Sequence, residues 1–175
     1  MKLFFAFFYF LLACSSVTYS QNKIYLYNEV KEGKVIEITP DEIKYTNPSD
    51  PARLDSVPLN KTVLLFNDKG GFLVVSEPDS SSLFLSENLV DNFMNAQNDT
   101  VINADRIFTR NKKVITCSII NEDILSLIIN LNGVQLKVDK STVAVVIYKN
   151  GEHKLTSTIE TATDVLYTFQ LQNKL

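Results

Sequence analysis

The sequence predicts an all-β protein: two related small antiparallel β-sheets or partly open barrels, joined by a short connector that contains a helix. Three observations carry this reading. Short runs rich in Val, Ile, Thr, Tyr and Phe recur along the 175 residues, and such residues fit a pleated, half-buried surface. Gly, Pro, Asn and Asp clusters separate the runs and supply turn chemistry. One stretch, VKEGKVIEITPDEIKY at residues 30–45, returns in looser form as VITCSIINEDILSLII at residues 114–129. Self-similarity at a fixed spacing is the mark of a repeated supersecondary unit.

Residues 1–20 stand apart from the fold. MKLFFAFFYFLLACSSVTYS has one basic residue, Lys2, followed by an unbroken apolar run at residues 3–13. The run is too short to span a bilayer and has the length of a signal-peptide core. Two processing routes are open. LLAC at residues 11–14 resembles a bacterial lipobox, which makes Cys14 a lipidation candidate. Thr18 and Ser20 are equally the small residues of an ordinary cleavage site before Gln21. Both routes export the chain, as an inner- or outer-membrane lipoprotein or as a soluble periplasmic or secreted protein.

The first unit is residues 21–76. KIYLY places Ile24 and Leu26 on one face and Tyr25 and Tyr27 on the other. GKVIEI, the turn TPDE and EIKYT form a hairpin. NPSDPARLDSVP holds three prolines, which remove backbone donors and restrict it to a loop or a sheet edge. TVLLF is a wholly apolar strand, and NDKGG turns it into FLVVS.

The connector is residues 77–104. Within it Leu89, Val90, Phe93 and Met94 recur at helical spacing behind Ser86, an N-cap candidate. The second unit is residues 105–175. RIFTR answers KIYLY, VITCSII answers KVIEI, and ILSLIIN answers EIKYTN. NED stands for TPDE with one position lost. LNG replaces the proline-rich stretch, and STVAVVIYKNGE lies over KTVLLFNDKGGF. The tail alternates apolar and polar residues and predicts a last strand at residues 165–170. TVAVVIY and ILSLIIN are uncharged and β-prone, so they belong in the middle of a sheet.

The pattern KIYL…GKVIEITPDEIKY, with YKNG after it, resembles small secreted or lipoprotein β-repeat proteins of Bacteroidetes. The resemblance covers about two-thirds of the exported part and rests on strand and turn chemistry. It implies a fold and an envelope location, with no catalytic residue to carry over. It also implies that Asp-Ser/Thr-apolar triplets are sites for O-glycans. DSV and DTV make Ser56 and Thr100 the O-glycosylation candidates. The first unit departs from the pattern in its NPSDPARLD insertion and in NDKGG at the position of YKNG.

Composition narrows the function classes. A formal charge of −3 with no block of like charge gives no pull toward nucleic acid or anionic lipid. Export leaves Cys117 as the one cysteine of the folded part, so no disulfide forms, and its strand-like setting makes it a small buried hydrophobe. His153 is the single histidine and follows a turn, where an exposed position is expected. A lone histidine holds no zinc. There is no G-x-S-x-G elbow, phosphate loop or dinucleotide fingerprint. No catalytic, cofactor-binding or metal-ligating residue is therefore assigned, and no cofactor is expected.

Two softer signals remain. Asp41 with Glu42, and Glu122 with Asp123, lie in equivalent turns and are the paired carboxylates that a hydrolase reading would use. Tyr25, Tyr27 and Tyr45 are the possible binding aromatics, a row that could grip a glycan or a peptide. The competing reading packs them under the helix or against the second unit. The expectation is a non-catalytic envelope protein that binds another protein or a surface glycan. A hydrolase, or a structural subunit of an envelope complex, is the alternative.

Overall fold

The computed structural model describes residues 22–76, 85–99 and 103–172. Thr100, Cys14 and the rest of residues 1–20, read above as a signal peptide, lie outside them. Two six-stranded antiparallel sheets account for most of the described chain, and neither closes into a barrel.

The first sheet contains β1 (Asn22–Leu26), β2 (Val30–Ile38), β3 (Glu42–Asn47), β4 (Asp50–Pro58), β5 (Thr62–Phe66) and β6 (Phe72–Val74), in the order β4-β3-β2-β1-β5-β6. The second contains β7 (Asp105–Thr109), β8 (Val114–Glu122), β9 (Ser126–Leu131), β10 (Val134–Asp139), β11 (Val143–Ile147) and β12 (His153–Leu155), in the order β10-β9-β8-β7-β11-β12. A 3₁₀ turn, Leu59–Lys61 or Lys140–Thr142, precedes the fifth strand of each. Helix α1 (Glu87–Asp99) joins the sheets and helix α2 (Ile159–Gln172) ends the described chain.

The repeat extends to irregularities. Both second strands carry a bulge at matching places, Ile36 between Val35 and Glu37 and Ile120 between Ile119 and Asn121. A bulge bends a strand and sharpens its twist, so both sheets curl over their concave faces. The registers also revise the sequence alignment. Leu65 pairs with Ile24 and Val146 with Ile107, so Val146 corresponds to Leu65, one residue away from the match that the coinciding threonines suggested. No position is lost in the second hairpin turn either, because Ile38↔Ile43 and Glu122↔Leu127 close loops of equal length.

The proline-rich stretch forms β4, an edge strand. TVLLF and VAVVI are buried along their whole length, and β9 lies inside its sheet. Each concave face has its own core. In the first unit Ile24, Val35, Ile43, Tyr45, Leu65 and Leu73 pack beneath Phe93 of α1, with Leu89, Val90 and Met94 beside it. In the second, Ile107, Cys117, Leu127, Ile129 and Val146 pack together, and among the described residues no helix joins their cluster. The backs of the two sheets meet in a shared core. Leu64, Phe66 and Val74 lie against Phe108, Val145 and Ile147, with Ala162, Val165 and Leu166 of α2 filling the same cluster.

The tail corrects the sequence reading: residues 165–170 are helical. Tyr167, Phe169 and Leu171 do alternate with polar residues, but Leu171 stays exposed. The spacing that buries surface is Ala162, Val165, Leu166 and Phe169, one helical stripe. Thr158 stands at the helix start, its hydroxyl accepting from Thr161 N. Gln170 then completes the edge of β6. Its Nε2 donates to the Val74 carbonyl at 3.0 Å, and its Oε1 accepts from Val74 N at 2.7 Å. One buried side chain thus serves both backbone groups that a neighbouring strand would otherwise pair.

Two turns nest where the units touch. Arg106 donates to the Gly70 carbonyl at 2.5 Å. Gly151 sits at φ +88° against the Asp68 carbonyl, where a Cβ would collide with backbone.

Candidate functional site

The units differ most at one end, formed in each by the hairpin turn after the second strand and by the 3₁₀ turn. In the first unit the Thr39 hydroxyl accepts from Glu42 N at 3.1 Å, and Leu59 N donates to the Asp41 carbonyl at 2.8 Å. In the second, Asp123 takes the place of Thr39. Its carboxylate accepts from Leu125 N at 2.7 Å, Ser126 N at 2.6 Å and Ser126 Oγ at 2.7 Å, and Lys140 N donates to the Leu125 carbonyl at 2.9 Å. The same backbone is built twice, more tightly in the second unit, and those hydrogen bonds hold the Asp123 carboxyl below its ordinary range.

What covers the two ends is different. The first carries a groove of about 520 Å³ lined by Ile38, Pro40, Leu59, Leu85 and Val90, with α1 as one wall. The second carries an open groove of about 450 Å³ lined by Arg110, Ile124, Leu125, Lys140, Lys154 and Leu155. On its rim Ile124 is 92% and Leu125 74% exposed. The matching positions in the first unit are Pro40 and Asp41. Two adjacent aliphatic side chains left almost wholly in water forgo several kcal/mol of burial. Their backbone is fixed, so the exposure is a property of the fold.

A compact charge cluster lies beneath them. Glu122 pairs with Lys140 at 2.5 Å and Lys154 at 2.6 Å, and Tyr148 donates its hydroxyl to Glu122 at 2.6 Å. The two lysines and the phenol hold the Glu122 carboxyl at about 2. A general acid needs a carboxyl shifted the other way. Glu122 and Asp123 are both lowered, and Asp41 and Glu42 sit in the other unit. Among the described residues no group of three His, Cys, Asp or Glu side chains is placed to hold a metal ion. This end offers chemistry of contact: a rigid aliphatic tip beside a groove rimmed by Arg110, Lys140 and Lys154.

The tyrosines do not assemble into a row. Tyr45 is buried in the concave core of the first unit, in the cluster that contains Phe93. Tyr25 points to the opposite side, toward the second unit, and Tyr27 alone is exposed. This is the packing arrangement weighed above. Tyr25 meets His153, which is not the exposed turn residue the sequence predicts. His153 is on β12, its ring stacked 3.7 Å from Phe66, with Nε2 hydrogen-bonded to the Tyr25 hydroxyl at 2.9 Å. Burial, helped by the Lys23 charge, lowers His153 to about 3, and burial with Glu32 nearby raises Tyr25 to about 12. The chain reversal at Gly151 folds β12 back against the first sheet, a long-range event that local sequence does not encode.

Ser56 lies exposed on the edge strand β4, opposite Lys44. Cys117 is buried, and its thiol is raised to about 11, chiefly by that burial and then by Asp105. It is inert as a nucleophile or ligand. Ile124 and Leu125 were the residues that sequence reasoning passed over. The signal was present: IL stands in the second turn where the first has PD.

Comparison of the chain with protein-family models, curated proteins and solved structures finds no match.

Proposed function

We propose that this chain is an exported, non-catalytic interaction protein of the cell envelope, and that the open end of its second unit takes hold of a protein partner. The exposed pair Ile124–Leu125 carries this reading. The centre of a protein–protein interface is apolar and depleted of charge, and a polar rim surrounds it; two rigidly presented aliphatic side chains are suited to such a centre. The turn bonded to Asp123 supplies the rigidity, and Arg110, Lys140 and Lys154 supply the rim. A glycan would call for an aromatic shelf, and Tyr25 and Tyr45 are occupied inside the fold. Export rests on the apolar run at residues 3–13, and the resemblance to secreted β-repeat proteins agrees with it. No helix among the described residues is long and apolar enough to cross a membrane.

The test is site-specific photocrosslinking in the native cells. A crosslinking residue at position 124 is expected to trap one discrete protein, while the same residue at position 40, in the equivalent turn of the first unit, traps none. Equal and diffuse labelling at both positions would sink the reading. Cell fractionation with intact-mass measurement checks the export. It is expected to find residues 1–20, or 1–13 with an acylated Cys14, removed.

A further inference from the structure

The sheets end in unlike edges. β4 has Pro51 and Pro58 within it and carries Asp50, Arg53 and Asp55. Proline and charge are the usual means of blunting an edge. β10, VQLKVD, has no proline, and nothing among the described residues lies beyond it in the sheet. It leaves the Asn132–Gly133 turn, where φ is +53° and +86° as a two-residue hairpin of the primed type requires.

That turn fixes which backbone groups are spoken for. Val134↔Leu131, Leu136↔Ile129 and Val138↔Leu127 are the hydrogen-bonded pairs with β9. Gln135 and Lys137 therefore aim their N–H and C=O away from the sheet. On the concave side Val134 and Leu136 are 58% and 43% exposed, next to the buried Ile129 and Leu127. Lys137 is the one cation of the strand, and Asp139 on the strand and Asp123 nearby offset its charge.

We propose that two copies of this chain pair antiparallel along β10, with Leu136 on the two-fold axis. Outward backbone groups must meet outward ones, so odd-numbered positions face odd-numbered ones. Centring on Leu136 sets Gln135 against Lys137 of the second copy, and the reverse, for four backbone hydrogen bonds. Val134 then meets Val138 of the second copy, and Leu136 meets its own counterpart, extending the apolar row of the concave face across the junction. Centring on Lys137 would oppose two like charges, and centring on Gln135 would shorten the overlap. The strand thus complements itself in one register, and a two-fold contact of this kind closes without growing into a fibre.

The experiment is sedimentation velocity on the intact protein over a concentration series, with three variants. Wild type is expected to show a concentration-dependent dimer. Lys137→Pro is expected to be monomeric yet folded, because the lost N–H points outward and an edge strand tolerates proline there. Under mild oxidation Leu136→Cys is expected to give a covalent dimer and Val134→Cys a monomer, because only position 136 meets itself. The buried Cys117 does not compete. A wild type that stays monomeric at every concentration, a dimer that survives Lys137→Pro with normal circular dichroism, or crosslinking at 134 in preference to 136 overturns the proposal. The outcome is independent of the tip at Ile124.

Discussion

The two units share a strand order, a bulge and a pair of turns, yet they finish the same end differently. The first sets a helix there: α1 lays Phe93, Leu89, Val90 and Met94 over the concave face and walls a groove beside the turn tip Pro40–Asp41. The second leaves it open, with a charge cluster around Glu122 and a tip of Ile124–Leu125. The edges follow the same division, prolines in β4 and none in β10. The repeat-like arrangement gives two scaffolds of one design, and a shared core at their backs joins them. A unit of ~50 residues is near the lower limit for an independent core. Joining the units through Phe66, Phe108, Ile147 and α2 removes that limit.

The comparison can be broken most severely at the joint. Phe66→Ala deletes the ring that packs between the sheets and under His153, and is expected to cost about 3–5 kcal/mol. Denaturant unfolding with hydrogen exchange should show both sheets losing protection together, whereas loss in the first sheet alone would mean that the units fold separately. Phe93→Ala acts on one side only. About 3 kcal/mol is expected, with exchange rising in β2 and β3 while β8 and β9 keep their protection. Gln170→Leu leaves the Val74 N–H and C=O buried and unpaired, at about 1–3 kcal/mol. A variant as stable as wild type in chemical denaturation would remove Gln170 from the account of the β6 edge.

Acid should act through the joint first. His153 is lowered in the folded state to about 3 from an ordinary 6.5, so the unfolded chain binds the proton more readily. Its contribution is complete above pH 6.5 and falls away as the pH drops toward 3, at no more than about 1.4 kcal/mol per pH unit. Glu122, lowered to about 2, adds a loss in the same direction only below its ordinary 4.5. From pH 7 to pH 5 the melting temperature of wild type should fall more steeply than that of His153→Phe. Parallel curves would assign the acid loss to other groups. The smallest effect on stability is expected from giving the second turn the sequence of the first. Ile124→Pro with Leu125→Asp should stay within about 0.5 kcal/mol of wild type. It should nonetheless abolish partner crosslinking from a probe at position 141, which lines the same groove.

Much of the architecture was legible. β5 and β11 could be placed inside a sheet because an uncharged apolar run has no other stable home. The first helix showed itself in Leu89, Val90, Phe93 and Met94. The proline-rich stretch had to be an edge or a loop. α2 was misread because six residues of alternation at its end outweighed the helical stripe starting at Ala162, and only the presence of a core for that stripe settles the matter. The site was half legible. The substitution of IL for PD at the turn lies in plain view, but its exposure depends on a helix that covers one unit and leaves the other.

The residue pattern by itself determined the two sheets, their hairpins and the absence of the familiar catalytic motifs, because period, turn chemistry and proline placement act over a few neighbours. Tertiary structure decided where His153, Tyr25 and Gln170 are used, which tyrosines are buried, and which of two similar edges stays open. Those outcomes depend on contacts between residues 96 and 128 positions apart. Such contacts are selected by how two faces fit once both exist, and no local pattern records that fit.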